Sequence, residues 1–542
     1  MAVIKDSNIA PARTPNWVNY WGWGSGDMLG AGAQAVITGW LFYFFTTFCA
    51  LTAVEAGLIL GLPRLLEAIT CPLIGYISDN LRHTWIGRKI GRRMFFLILT
   101  IPLLPCFALI FRTGHTFTYY LLCFIFFELL YTMFLIPWET LAAEMTKNYK
   151  TKAKFAGARM IIAQSSAILA SYLPTLIINN FGSKDSPDTF FWMAAIFGVI
   201  FSVVVLIVVL TTWERPYTED ELLIQPKPFN AGEALQIPVR MFRDLFSTLK
   251  IRAFRQHLSV YLGAYISQDI FNTAFPIFVA TVLMGATLVI SQLMTTMYIA
   301  QLISVMIAIN IVIRTGPVLA YRIAISFFSG ALLLYLVFYL VHPVGFSEGL
   351  TLLGSNIFNA FNSDNFNAEL VFWLFLPIIL AGLGRGTLNF VPWSVYNYLP
   401  DIDEAVTGRR REGIFAGVMT LVRKLAQSLA IIATGWIIDM GGYISPKTHP
   451  GQVITQTPEA IQTIALLMVA GPIIVMVLGL IASWSFRLNA RTHAILVNEV
   501  ERLRAGATTA ESEENRVIVE DLTGWSYDKL WGKNTVGVKS IK

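Results

Sequence analysis

The segment RLLEAITCPLIGYISD, residues 64–79, places an arginine and a glutamate three residues apart inside an otherwise apolar run. Residues at this spacing lie on one face of a helix, so Arg64 and Glu67 are expected to point the same way. An ionisable side chain at membrane depth costs about 3 kcal/mol on insertion scales, which makes it a functional-site candidate. The alternative is a structural ion pair that fixes helix contacts, but such a pair also requires a polar interior. The segment therefore predicts a membrane helix that lines a polar chamber.

The composition of the whole chain is that of a membrane protein. Its 542 residues are 55% apolar and 14% charged, with a mean hydropathy of +0.60, whereas about 25% of residues are charged in soluble domains. We predict an all-α membrane protein with twelve transmembrane helices, since twelve apolar runs are long enough to cross about 30 Å of hydrocarbon. These runs lie near residues 25–48, 54–78, 94–111, 118–141, 155–178, 190–212, 257–284, 288–313, 317–341, 370–396, 413–438 and 461–486.

Basic residues in the loops predict the orientation of the chain. They concentrate in the loops after spans two and four and before spans seven and eleven, whereas the opposite loops hold few. Because loops rich in Lys and Arg stay in the cytoplasm, we expect both termini on the cytoplasmic side of a bacterial inner membrane. The net charge of +6 is a signal of this topology, and we expect no nucleic-acid partner.

The predicted spans form two groups of six around a long polar connection, an arrangement that resembles major facilitator transporters. In the tail, residues 487–506 have the pattern of an amphipathic helix, and the chain beyond about Gly506 is expected to be loosely ordered. The predicted divisions are a six-helix bundle over 1–212, a cytoplasmic linker with an amphipathic helix over 213–256, a second six-helix bundle over 257–486 and a cytoplasmic tail over 487–542.

Polar side chains inside the spans come from both halves, as a chamber between the halves requires. Glu67, beside Arg64, is the strongest candidate for a carboxylate that couples transport to protons, and Lys424 is the most plausible substrate-facing cation of the second half. Glu128 and Asp269 are equally consistent with structural pairing to basic neighbours. The other charged or polar candidates are Thr70, Glu139, Arg159, Gln164, Gln268, Asn272, Arg385, Asn389, Arg423 and Gln427.

The sequence lacks the usual signatures of membrane enzymes and pumps. It holds no phosphate-binding loop, no GxSxG elbow and no HExxH pair, and its six histidines lie in loops or at span ends. We therefore predict that the chain is not an enzyme. The four cysteines show no metal-ligand spacing, and we expect neither a metal nor another cofactor.

Six segments in a fixed order resemble the glycoside–pentoside–hexuronide:cation symporters, the melibiose-permease family of the major facilitator superfamily. The resemblance extends from about Trp23 to Arg504. The segments are WGSGD (23–27), RLLEAITCPLIGYISD (64–79), RHTWIGRKIGRR (82–93), IPWETLAAEMT (136–146), TGRRREGIFAGVMTLVRK (407–424) and RLNARTHAILVNEVERLR (487–504).

The resemblance implies that span two binds the coupling cation, with Glu67, Thr70 and Cys71 at the family's coupling positions beside Arg64. One of the usual carboxylates is here Cys71, and sodium prefers hard oxygen ligands. Proton coupling, or no coupling, is therefore favoured over sodium coupling. The acids that bind sugar in melibiose permeases are also replaced, by Ala31 and Leu135, so galactoside specificity is not implied.

We predict a monomeric, proton-coupled symporter of a glycoside, oligosaccharide or uronide that works by alternating access in the lipid bilayer. The basic residues of the spans favour an anionic substrate such as a uronide, unless acidic neighbours neutralise them. The predicted substrate-binding residues are Asp27, Trp138, Glu139, Arg159, Asp269, Asn272, Arg385, Trp393 and Lys424. The predicted cytoplasmic gate residues are Asp79, Arg92, Arg93, Arg409 and Arg410.

Two alternatives to a sugar symporter stay open from the sequence. One is a carrier of lysolipids or other amphiphiles with the same fold. The other is a membrane receptor or assembly subunit that no longer transports. Uptake and counterflow assays separate the three.

Overall fold

Helices joined by short turns make up the described part of the protein, which has no β-strand. The computed structural model describes residues 14–81, 84–146, 149–181, 186–214, 247–283, 285, 287–341, 368–396, 398–408, 412–445, 455–484, 487–534 and 536.

The long helices follow the order expected from the apolar runs. In the N-terminal half they are α1 (Trp17–Phe48), α2 (Ala53–Asn80), α3 (Met94–Thr100 and Leu104–Phe111), α4 (Phe117–Met145), α5 (Tyr149–Phe181) and α6 (Pro187–Thr211). In the C-terminal half they are α7 (Arg252–Ile277), α8 (Thr287–Thr315), α9 (Pro317–Val341), α10 (Ala368–Tyr396), α11 (Glu412–Met440) and α12 (Pro458–Trp484).

The number of spans depends on how two of these helices are treated. Ten helices in the described residues are long and apolar enough to cross a membrane, or eleven if the two parts of α3, bent by 41°, form one span. The remaining helix, α7, buries the polar residues Gln268, Asp269 and Asn272. It begins at Arg252 rather than at the predicted residue 257, because the apolar residues around Phe254 pack into the protein.

Local sequence explains how α2 presents the segment of residues 64–79. Thr52 and Glu55 form a capping box at its first turn: the Glu55 amide donates to Thr52 Oγ1 at 3.1 Å, and the Thr52 amide donates to Glu55 Oε2 at 2.8 Å. Pro63 and Pro72 lie inside the helix. Each removes one backbone donor, so the helix is less tightly hydrogen-bonded on both sides of Arg64 and Glu67.

The two halves meet tightly where α2 crosses α11, along what we call the outer seam: Gly57 and Gly61 of α2 against Ser428, Ile432 and Gly435 of α11. A Cβ atom at Gly435 would lie 2.3 Å from the carbonyl oxygen of Ala53. Ser428 Oγ donates to the carbonyl oxygen of Gly61 at 2.8 Å. Only residues without a side chain permit this backbone approach, so the glycines set the closeness of the halves.

A second contact between the halves joins α5 to α8. The hydroxyl groups of Thr175 and Ser291 lie 2.6 Å apart, and Thr295 Oγ1 donates to Ser171 Oγ at 3.0 Å. These contacts and the outer seam lie toward the same ends of the helices. At the opposite ends, α4 and α5 make no extensive contact with α10 in the described residues. In the described residues, the close contacts between the halves therefore lie toward one end of the helices, which is the outer end under the predicted orientation.

The tail beyond α12 is folded, so the expectation of loose order beyond Gly506 is wrong. Helices α13 (Ala490–Arg504) and α14 (Glu513–Thr523) pack against the short helix Leu399–Thr407, which connects α10 to α11. Apolar side chains such as Leu496 and Leu522 form a common buried core with it. The polar composition of this tail favoured loose order, but these apolar positions recur at helical spacing.

Backbone hydrogen bonds also attach the end of the tail to the short helix Leu399–Thr407. The amide of Trp531 donates to the carbonyl oxygen of Ala405, and the amide of Gly532 donates to that of Val406, both at 2.9 Å. Of the predicted linker, residues 215–246 with the expected amphipathic helix lie outside the described residues. The predicted division of the chain into two bundles, linker and tail stays a prediction.

Glu499 of α13 gives the folded tail a pH dependence. Burial by itself raises the pKa of Glu499, but hydrogen bonds from Asn515, Tyr527 and the backbone of Glu511 outweigh it and hold that pKa below its usual value of 4.5. A depressed pKa stabilises the folded state above the unfolded pKa, and this stabilisation is lost as the pH falls through the folded pKa.

We expect Glu499→Gln to loosen the tail at neutral pH, because a neutral amide accepts these hydrogen bonds less strongly. Hydrogen–deuterium exchange over residues 490–523 should become faster in the variant. In the unmodified protein, protection corrected for intrinsic exchange should fall as the pH drops below about 4.5. Glu513→Gln, at an exposed position, is the matched control, and equal protection in the two variants would contradict the prediction.

Candidate substrate and cation site

Four charged side chains meet where α2, α4 and α11 come together. Lys424 Nζ of α11 donates to Glu67 Oε2 of α2 at 2.6 Å. Arg64 Nη1 lies 3.9 Å from Glu67 Oε2, and Arg64 Nη2 lies 3.5 Å from Glu128 Oε1 of α4. The spacing of Arg64 and Glu67 thus places them together as expected, and the closer partner of Glu67 comes from the other half of the protein.

Glu128 is the least satisfied member of this cluster. It is 3% exposed, and neither of its carboxylate oxygens accepts a hydrogen bond in the described residues. Its contact with Arg64 is an ion pair without hydrogen-bond geometry, and Arg64 Nε and Glu67 Oε1 also lack hydrogen-bond partners. A buried carboxylate with no donor carries a desolvation cost that its surroundings do not offset.

A second charged cluster lies within the N-terminal half, around Arg159 of α5. Its guanidinium donates to Glu139 Oε1 of α4 at 2.9 Å and to Asp27 Oδ2 of α1 at 3.3 Å. It also lies over the ring of Trp138, at 4.8 Å from the ring centroid. The side chains of Arg159 and Glu139 are 33% and 41% exposed, so a solute can reach both a fixed donor and an acceptor.

Trp138 supports Arg159 and does not itself present an open face. It is fully buried, and its ring stacks on those of Trp23 and Phe134 at centroid distances of 5.0 and 5.5 Å. The two indole N–H groups donate reciprocally: Trp23 to the carbonyl oxygen of Trp138 at 2.9 Å, and Trp138 to that of Trp23 at 2.8 Å. Trp138, which the sequence predicts to bind substrate, has its ring covered by these neighbours in this conformation.

A third cluster lies within the C-terminal half. Arg423 of α11 binds Asp269 of α7 through two hydrogen bonds, of 2.6 and 2.9 Å, and Gln427 adds a third donor to the same carboxylate at 3.3 Å. The guanidinium lies 5.0 Å from the ring centroid of Tyr265. The Tyr265 hydroxyl accepts a hydrogen bond from Trp393 at 2.9 Å. Asp269 is therefore neutralised by Arg423 and lies one turn from Tyr265.

Arg385 of α10 is a buried cation that forms no ion pair with a carboxylate in the described residues. Its Nη1 donates to Asn272 Oδ1 at 2.7 Å, and its guanidinium lies 5.2 Å from the ring centroid of Phe271. Its Nε has no hydrogen-bond partner. Nearby, the halves also touch through Gln301 of α8, whose amide donates to Gln164 of α5 at 3.4 Å.

Formal charges balance across the three clusters and Arg385. Arg159, Arg423 and Lys424 each have a carboxylate partner within 3.0 Å. The expectation of a net positive chamber is therefore replaced by the alternative of neutralised basic residues. The five basic residues are Arg64, Arg159, Arg385, Arg423 and Lys424, and the five acidic ones are Asp27, Glu67, Glu128, Glu139 and Asp269.

The remaining coupling candidates of α2 lie within about one turn of Glu67. The Thr70 hydroxyl donates to the backbone carbonyl of Glu67 at 3.4 Å. Cys71 is a free thiol and is partly buried. These groups place one hydroxyl and one soft thiol beside the carboxylate, which is a poor set of ligands for sodium.

Comparison with known proteins identifies the family. The profile of the family described as MFS/sugar transport protein matches residues 22–490. The chain belongs to this family. A relative from Escherichia coli, the glucuronide carrier protein homolog, is 23% identical over 90% of this chain and 96% of its own length. An uncharacterized symporter from Synechocystis sp. is 24% identical over 88% of this chain and 95% of its own length.

Solved structures of other transporters share the fold of this protein. The nucleoside transporter NupG covers 88% of this chain with a TM-score of 0.55 at 14% sequence identity, and 100% of the NupG chain is matched. A bacterial homolog of the lysosomal transporter Spinster covers 86% of this chain with a TM-score of 0.54 at 16% identity, and 97% of that chain is matched. The predicted major facilitator fold is therefore confirmed, and the family is one of membrane transporters rather than enzymes.

The predicted gate residues lie only partly within the described residues. Arg92 and Arg93 bind Glu144 of α4 at 2.5 and 2.7 Å, and their backbone amides donate to Glu214, which follows α6. These contacts anchor the 84–93 loop within the N-terminal half. The side chain of Asp79 and residues 409 and 410, the positions of Arg409 and Arg410, lie outside the described part of the chain.

Sequence reasoning missed one residue of the site and left the role of another open. It did not include Tyr265, although a tyrosine four residues before Asp269 lies on the same helix face. It listed Glu128 but left its role open, because the partner Arg64 is on a different helix and no local pattern predicts that contact. The roles of Tyr265 and Glu128 follow only from the packing of α2, α4, α7 and α11.

Proposed function

We propose that this protein is a monomeric secondary active transporter that carries a glycoside, oligosaccharide or uronide together with protons by alternating access. It lies in the bacterial inner membrane with both termini in the cytoplasm. The proposal rests above all on the contact between Glu67 and Lys424, a buried ion pair that joins the two halves at 2.6 Å. An ion pair at this position must break whenever α2 and α11 separate, so charge and conformation are linked.

The alternating-access cycle follows from the asymmetry of the contacts between the halves. In the present conformation the outer seam and the hydroxyl contacts of α5 with α8 are closed. Opening that end separates Gly61 from Ser428 and carries Lys424 away from Glu67, since Ser428 and Lys424 are one turn apart on α11. Substrate then enters from the newly opened side, and closure restores the pair.

Arg159 and Glu139 are the proposed primary contacts for the substrate. A guanidinium donates several hydrogen bonds in a fixed plane, and a carboxylate accepts them, so together they match the hydroxyl groups of a sugar. Asp27 fixes the other edge of the guanidinium. Because each of the other four basic residues of these clusters has a carboxylate partner, a uronide would gain most from Arg385, whereas a neutral glycoside would use Arg159 and Glu139.

The transport proposal is tested with purified protein in proteoliposomes. Labelled methyl glucoside, methyl glucuronide and a lysophospholipid are supplied outside, and counterflow and uptake driven by an imposed pH gradient are measured. Counterflow and gradient-driven accumulation of either glycoside support the proposal. Uptake of the lysolipid alone would favour an amphiphile carrier, and the absence of counterflow with all three cargoes would favour a non-transporting subunit.

We expect Arg159→Lys to weaken glycoside binding, because lysine keeps the charge but loses the planar fork that binds Asp27 and Glu139 together. Loss of a hydrogen bond to a charged group costs about 1.5 to 3 kcal/mol, or about 10- to 100-fold in Kd. Binding of the preferred glycoside is measured by titration calorimetry. Arg112→Lys, at an exposed position beyond α3, is the matched control, and an unchanged Kd in Arg159→Lys would rule out a direct role.

A further inference from the structure

The charge balance of the α2, α4 and α11 cluster depends on one residue from the opposite half. Arg64, Glu67 and Glu128 all belong to the N-terminal half, and only Lys424 belongs to the C-terminal half. With Lys424 in place, two cations face two carboxylates. All three N-terminal side chains are nearly fully buried in the present conformation. When α11 moves away, the N-terminal half keeps one cation and two carboxylates.

A buried, uncompensated negative charge is costly, and uptake of one proton removes it. The two carboxylates differ in how well they are placed to stay charged. Glu67 lies one turn from Arg64 on the same helix, so Arg64 remains beside it during any movement of α11. In the described residues Glu128 has no hydrogen-bond donor on either oxygen, and the cation within 4 Å of it is the same Arg64.

The ionisable groups that face Glu128 are few. They are Arg64, Glu67 and Cys71 from α2, Lys424 from α11, Tyr131 one turn along α4 and, beyond Tyr131, Asp27 from α1. The part of α3 packed against this stretch of α4 presents apolar rings, such as Phe107 against Phe127 at 4.6 Å. Among these groups, Arg64 is the one permanent cation that belongs to the N-terminal half. None of the others there can replace the positive charge of Lys424.

We propose that Glu128 binds the coupling proton, and that Lys424 and this proton alternate: departure of Lys424 from Glu67 admits a proton to Glu128, and return of Lys424 expels it. The inference rests on the proposed function and specifies its coupling step. The proton adds to a carboxylate oxygen of Glu128 from the open side and leaves the same oxygen on the other side of the membrane. One proton is moved in each cycle, because one cation is exchanged.

Infrared difference spectroscopy of the reconstituted full chain tests this exchange without a substrate. A protonated, buried carboxylic acid gives a C=O stretching band distinct from that of a carboxylate. At neutral pH we expect no such band in the unmodified protein and a clear band in Lys424→Met, in which the exchanging cation is permanently absent. In the Lys424→Met background, Glu128→Asp should shift the band and Glu139→Asp, outside the cluster, should leave it in place.

The outcomes separate this inference from the transport proposal. Absence of the band in Lys424→Met, or a band that shifts with Glu67→Asp and not with Glu128→Asp, would overturn the inference. Counterflow of methyl glucoside or methyl glucuronide is measured on the same preparations. Counterflow without the expected band would support the transport proposal but contradict Glu128 as the proton site. A band assigned to Glu128 would support the inference.

Discussion

Glu67→Gln is expected to abolish accumulation driven by a pH gradient while substrate exchange between the two compartments continues. Glutamine can still contact Lys424, but it removes one of the two carboxylates whose charge a proton must balance. Accumulation in proteoliposomes should then end at equal concentrations inside and outside. Counterflow, which needs alternating access but no gradient, should persist.

Loss of folding is the competing explanation for an inactive Glu67→Gln variant. Removal of one partner from a buried ion pair costs about 3 to 5 kcal/mol, because the other charge is left uncompensated. The double variant Glu67→Gln and Lys424→Gln removes both charges and serves as the control for folding, monitored by thermal unfolding in detergent. If Glu67→Gln still accumulates substrate against its gradient, Glu67 takes no part in coupling.

Gly435→Val is expected to slow transport by holding the outer seam open. The new Cβ atom would lie 2.3 Å from the backbone carbonyl oxygen of Ala53, which cannot move aside as a flexible side chain can. Overpacking of this kind costs about 1 to 3 kcal/mol, which lowers the ratio of closed to open conformations by about 5- to 150-fold. The rate of counterflow should fall by a similar factor.

The closed population is measured by disulfide formation between Thr175→Cys and Ser291→Cys, whose hydroxyl groups lie 2.6 Å apart in the closed conformation. The four native cysteines are replaced in this background. Crosslinking should be fast with Gly435 and slow with Gly435→Val. Gly330→Val is the matched control, since a Cβ atom there meets nothing within 4 Å. Equal crosslinking and transport in both variants would show that the seam tolerates a side chain.

The sequence alone predicted the fold well, because long apolar runs and basic loops are direct consequences of the bilayer. The twelve spans predicted from the sequence include α7. This helix is too polar to be assigned as a span from hydropathy alone, but the apolar runs on either side of its polar residues supported the assignment. The family resemblance then selected the major facilitator fold. The folded structure of the tail was not predicted. Its apolar residues are scattered through a polar stretch and become buried only against the surface formed by α7 and the helix Leu399–Thr407.

The site was predictable where its partners are close in sequence and unpredictable where they are distant. Arg64 and Glu67 share a helix face by spacing alone. The pairing of Lys424 with Glu67 joins residues 357 positions apart, and that of Arg423 with Asp269 joins residues 154 apart. No local pattern specifies such contacts, so the sequence left open whether these cations bind an anionic substrate or pair with acidic neighbours.

The folded tail has a consequence for how the protein is made. Its helices cover apolar side chains of the turn between α10 and α11 and of the start of α7, and they make no extensive contact with α1–α6 in the described residues. Until residues 487–534 have left the ribosome, that surface stays uncovered in the newly inserted chain. Completion of the C-terminal half therefore waits on synthesis well beyond its sixth helix, and a nascent chain stalled at α12 is a natural target for chaperones and proteases.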